Sequence, residues 1–185
     1  MPGQGDKAGE ILTFWFAETR PRQWFAKDPA FDALVRDRFL GLTQQALAGE
    51  LDAWSPAATG GLALVLLLDQ FPRQIWRDTA MAFAGDPQAL ALSLQAVERG
   101  WLEAEPQQAR QEFWLMPLMH AEDLAVQEAA VPLFERFCDP RTIDFARRHR
   151  DVVARFGRFP HRNAALGRVS TAEELTFLQT SGSRF

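Results

Sequence analysis

Asp139-Pro140-Arg141-Thr142-Ile143-Asp144-Phe145-Ala146-Arg147-Arg148-His149-Arg150-Asp151-Val152-Val153-Ala154-Arg155-Phe156-Gly157 reads as a helix with both ends marked. An aspartate before the first turn accepts orphan backbone N–H groups, and a proline in that turn gives up no hydrogen bond. A glycine just past the last apolar residue is where a helix stops. Between them Phe145, His149, Val152 and Phe156 recur by steps of four and three and share one face, while Arg147, Arg148 and Arg150 point elsewhere.

The same punctuation recurs outward along the chain. Asp28-Pro29 and Asp86-Pro87 each open a periodic segment, and Ser170 with Glu173 has the spacing of a capping box ahead of Leu175, Phe177 and Leu178. Gly49 and Gly100 sit where helices should stop. Helices are predicted at about 7–18, 30–48, 59–71, 87–99, 108–116, 121–137, 140–156 and 171–180. No segment alternates apolar and polar residues, so the fold class is all-α. The run 62–68 is apolar all round and is predicted to be the central core helix. Helix 30–48 carries Phe31, Leu34, Val35, Phe39, Leu42 and Leu47 on one face. Short connections imply antiparallel helix pairs in a single compact domain over 7–180, with a disordered tail at 1–6 and a C-terminal tail at 181–185.

The 185 residues are 47% hydrophobic and 24% charged, a balance that supports a sizeable core. The longest apolar run is far below the ~18 residues that span a bilayer, so no membrane partner is expected. Met1 to Asp6 lacks the basic and apolar regions of a secretion signal, and Cys138 is the lone cysteine; a cytoplasmic location is expected. Net charge is −4, yet eight arginines from Arg141 to Arg168 face only Asp144 and Asp151. The overall acidity argues against nucleic acid as a partner.

Two runs wrap charged and amide groups around a Phe-Pro pair: Asp69-Gln70-Phe71-Pro72-Arg73-Gln74 and Gly157-Arg158-Phe159-Pro160-His161-Arg162-Asn163. Each follows an apolar helical segment, and the two are predicted to meet in a pocket. Asp69 ends the most apolar helix, where desolvation and the helix dipole both disfavour a carboxylate, so it needs a cationic partner such as Arg73, Arg158 or Arg162. His120, Leu124, Gln127, Val131, Phe134 and Cys138 form a predicted inward stripe, and His149 is placed on an inward face. No metal site is expected, since no two histidines stand four apart and His-Glu-x-x-His is absent. No Gly-rich phosphate loop or dinucleotide fingerprint names a cofactor.

Three stretches carry a resemblance. They are Leu67-Leu68-Asp69-Gln70-Phe71-Pro72-Arg73 with Trp76-Arg77 and Asp86; Pro117 to Leu124 with Gln127; and Arg148-His149 through Arg155 to Asn163, Leu166-Gly167-Arg168 and Ser170 to Glu174. Together they resemble the domain-of-unknown-function 924 family from Ile11 onward. The resemblance implies an all-α fold similar to tetratricopeptide-like arrays, although the repeat signature itself is missing. It implies no established activity. Gln74 stands where that family usually has asparagine, and Ala121 where it often has serine.

The leading functional reading is a pocket for a small anionic ligand or an acidic peptide end, drawing on Asp69, Gln70, Arg73, Arg77, Arg158, His161, Arg162 and Asn163. A second is a hydrolase or transferase in which His120 or His149 acts as base, tuned by Glu122 or Asp69. A third is a protein-interaction scaffold with an exposed concave groove.

Overall fold

The computed structural model describes residues 4–184, with side chains from Lys7 onward. Its helices are α1 (Gln4–Thr13), α2 (Pro21–Trp24), α3 (Pro29–Leu47), α4 (Ala58–Val65), α5 (Phe71–Ile75), α6 (Asp86–Glu98), α7 (Trp101–Ala104), α8 (Gln108–Met119), α9 (Leu124–Phe137), α10 (Pro140–Phe156) and α11 (Ala172–Leu178). No strand occurs among the described residues. No helix there is long and apolar enough to cross a membrane. Of the tail expected over 1–6, residues 1–3 lie outside the described residues, and α1 opens at Gln4. Of the expected C-terminal tail, Phe185 lies outside them too. Ser183 is buried and donates to the Leu178 carbonyl, so the chain turns back onto α11.

Helix α4 is the core element expected, since every residue from Leu62 to Leu68 is buried. The helical path runs past the expected stop at 71 and on to Ile75. A π-helical turn, Leu66–Gln70, joins α4 to α5, and the Phe71 N–H reaches back to the Leu66 carbonyl. Proline at 72 would clash with the carbonyl four residues earlier in a regular helix, and the widened turn relieves that conflict. Gly85 packs against the same place: a Cβ there would lie 2.2 Å from the Leu68 carbonyl oxygen. Only glycine lets the start of α6 come so near, and this brings Asp86 beside the end of α4. Around α4 the rings of Phe14, Phe39 and Phe71 pack at 4.9–5.0 Å, and Trp15 meets Phe113 edge-on at 5.5 Å.

Helices α8, α9 and α10 follow one another through short connections and pack side by side. Helix α8 runs through Pro117 to Met119, past the expected stop at 116, because Leu115 to Met119 are all buried. His120 therefore caps α8 and does not belong to α9, which starts at Leu124 behind the Asp123 cap. The buried stripe of α9 is Gln127, Ala130, Phe134 and Phe137, and Leu124 is exposed. Gln127 sets that face, since its amide donates to the Met119 and Ala121 carbonyls at 2.6 and 2.9 Å and clamps the end of α8. Helix α10 has the predicted bounds, the Asp139 cap and Gly157 at φ 70. The capping box of α11 sits one residue later than expected. Thr171 and Glu174 form it, while Glu173 is exposed and paired with Arg155.

Candidate functional site

The two Phe-Pro runs meet across Asp86. Arg73, from α5, reaches both Asp86 oxygens at 2.9 and 3.1 Å. Arg162, from a short turn at Pro160–Arg162, reaches Oδ2 of the same carboxylate at 3.0 Å and the His120 carbonyl at 3.0 Å. Two arginines 89 positions apart thus share one anion, and both guanidiniums lie over the Phe83 ring, at 5.4 and 4.6 Å. Arg162 is also 4.6 Å from the Phe159 centroid, so rings cover it on two sides. Burial first, and then the Arg73 charge, lower its pKa to about 10, and it stays charged at neutral pH.

Asp69 is wholly buried beneath this pair. Its Oδ1 lies 2.7 Å from His120 Nδ1 and 3.4 Å from Arg73 Nη1, and Oδ2 accepts from the Gln70 amide at 2.6 Å. Arg73 also donates to the Asp69 backbone carbonyl. Burial pushes the carboxyl pKa up, but His120, Arg73 and Gln70 outweigh it and hold Asp69 ionised, well below the carboxylate range. An ionised carboxylate only accepts, so His120 donates through Nδ1 and keeps Nε2 as an acceptor. Burial lowers the His120 pKa, against the pull of Asp69. His149 donates Nδ1 to the Phe145 carbonyl at 2.8 Å, and burial, followed by neighbouring positive charge, holds it well below the usual histidine value. His161 falls to about 3 through burial and the Arg162 and Arg73 charges. Burial thus lowers all three histidines from the ordinary imidazole value.

A cavity of about 260 Å³ opens onto these groups. Arg73, Arg77, Arg162, His120, His149 and His161 line it, with Gln70 and Gln74 alongside. Arg77 is held bidentately by Asp32 at 2.8 and 2.6 Å. Asp69, Asp86 and Asp32 fix the arginines from behind and are not part of the lining. Arg162 Nε and Gln74 Oε1 are buried and face no protein hydrogen-bond partner. A larger cavity of about 400 Å³ lies beyond the Arg77–Asp32 pair and includes Arg36 and Trp76, but no histidine lines it. The smaller cavity is the chemical one.

Three expected site residues lie elsewhere. Arg158 is paired with Glu174 at 2.7 and 2.9 Å, and Asn163 bridges Glu174, Ser170 and Arg168. Glu122 accepts from Arg168 at 2.6 and 2.8 Å and from the Phe159 N–H at 2.7 Å. These groups staple the 157–171 segment to the helices and so position Arg162 and His161. Asp69, not Glu122, is the carboxylate that orients a histidine. Asp86 and Phe83 were not among the expected site residues. Asp86 reads as a helix cap because proline follows it, and a phenylalanine after alanine carries no local mark of stacking on arginine.

The chain matches the model of a family described as bacterial protein of unknown function (DUF924) over residues 11–182. It belongs to the DUF924 family. A solved structure of a protein of unknown function from Agrobacterium tumefaciens is 41% identical to this chain, with a TM-score of 0.89, and the match covers 96% of this chain and 99% of that one. No curated protein matches at a comparable level. The matched DUF924 span contains the histidines, arginines and carboxylates of the cavity. Among the described residues no cluster of three or more histidine, cysteine or acidic side chains could hold a metal. Cys138, its thiol pushed up to about 12 mainly by burial, does not line the cavity.

Proposed function

We propose that the cavity binds a small anionic molecule through Arg73 and Arg77. One observation carries this: three arginines line the cavity while the carboxylates bonded to them stand behind, and the single acidic side chain in the lining, Asp78, is paired with Lys27 at 3.5 Å. Three arginines against one carboxylate make the face nearest a ligand cationic, and short-range electrostatics favour an anion there. A cytoplasmic location fits the single cysteine. Calorimetric titration at low salt should show acetate binding more tightly than acetamide by about tenfold, with the difference fading at high salt and in Arg77→Gln. Equal binding of acetate and acetamide ends the reading.

A second reading rests on the Asp69–His120 contact of 2.7 Å. A buried carboxylate that fixes the tautomer of a cavity-lining histidine is the arrangement of a general base for hydrolysis or group transfer. It predicts that His120→Asn slows cleavage of p-nitrophenyl acetate while the fold, followed by circular dichroism, is kept. Unchanged cleavage removes the reading.

A further inference from the structure

The polar groups account for only part of the cavity. Besides these and Asp78, which pairs with Lys27, its lining is hydrocarbon: Trp24, Phe25, Ala26, Ala82, Phe83 and Ala165. Trp24 is anchored by its own neighbourhood, with Nε1 donating to the Trp15 carbonyl at 3.1 Å and Thr19 Oγ1 at 2.8 Å, and its ring stacked on Trp15 at 6.0 Å. Its polar edge is therefore used inside the protein. Phe25 is 60% exposed although it lies parallel to Phe113 at 6.2 Å and edge-on to Trp24 at 6.3 Å. A phenyl ring held by other rings and still open to solvent forgoes burial that a ligand could restore. Phe83 joins the two halves of the site, because the guanidiniums of Arg73 and Arg162 lie over it.

Size narrows the occupant further. An apolar cavity of about 150 Å³ is enough for benzene, and this one is about 260 Å³. It suits one ring with a short polar arm. We propose that the natural ligand is a small aromatic carboxylic acid, its ring against Trp24, Phe25 and Phe83 and its carboxylate at Arg73 and Arg77. This rests on the anion-binding reading and adds the ring to it. Bidentate geometry favours a planar carboxylate on a guanidinium, and stacked or edge-on rings gain more than aliphatic groups of equal area.

The experiment is calorimetric titration of the full chain with benzoate, cyclohexanecarboxylate, acetate and benzamide, repeated on Phe25→Ala. Phe25 is exposed, so its loss should leave the fold intact, and circular dichroism verifies this. Benzoate should bind about thirtyfold more tightly than acetate and about fivefold more tightly than cyclohexanecarboxylate, and Phe25→Ala should weaken benzoate about tenfold without affecting acetate. If acetate matches benzoate, or Phe25→Ala binds benzoate as wild type does, the aromatic inference fails and the anion reading survives. If benzamide matches benzoate, the carboxylate assignment fails and the anion reading falls with it. Absence of binding by all four overturns both.

Discussion

Helices α3, α6 and α10 all begin with aspartate followed by proline, yet the three aspartates do two different jobs. Asp28 accepts from the N–H groups of Ala30 and Phe31, and Asp139 accepts from Thr142 N–H at 2.9 Å. Asp86 instead sits inside the first turn of α6, and its carboxylate is taken by Arg73 and Arg162. A negative charge there still suits the helix dipole, so α6 loses little by giving up a side-chain cap. The difference lies in what surrounds each start. Where no buried arginine is paired with it, the carboxylate caps; where buried cations are near, it serves them.

Breaking the pairing should produce the largest effect. Asp86→Ala leaves two largely buried guanidiniums without their shared anion, and urea unfolding should show a loss of about 3–5 kcal/mol. A loss of about 1 kcal/mol would make Asp86 an ordinary cap. Acid should come next, acting on the site. His161 has a folded pKa of about 3, lowered by burial and then by Arg162 and Arg73. Unfolded, it titrates near 6.5. Below that pH the unfolded chain binds a proton that the folded protein excludes, so stability falls as pH drops from 6.5 toward 3. This one group should cost about 2 kcal/mol at pH 5 relative to pH 8, and His161→Gln should make the decline shallower by that amount. The smallest effect belongs to the plain caps: Asp28→Ala and Asp139→Ala should each cost about 1 kcal/mol in urea unfolding and add in the double variant.

Residues differ in how plainly the sequence marked their place. Helix α10 was legible to its ends because cap, proline, periodic face and glycine all act within one turn of where they stand. The same logic placed His149 inward and required a cation for Asp69. On α9 it was right for Gln127 and Phe134 but wrong for the rest of the stripe, where several faces were apolar enough to be buried and the clamp from Gln127 to the end of α8 chose among them. It also failed for Arg158 and Glu122, whose type and setting suited a pocket but whose partners, Glu174 and Arg168, lie 16 and 46 positions away. Nothing near either residue marks which partner it takes.

The sequence by itself determined the class of fold, the longer helices and the chemistry available to the site. Helical period, capping and proline effects involve groups only a few residues apart, and these act before the chain is compact. Tertiary structure decided how the charges pair. The π turn at Leu66–Gln70 and the close approach of Gly85 to Leu68 bring Asp69, Arg73 and Asp86 together. The folded 157–171 segment then delivers Arg162 from 76 positions beyond Asp86. Coulomb attraction is strong only at short range in a poorly solvated interior, so which carboxylate serves which arginine is settled by packing.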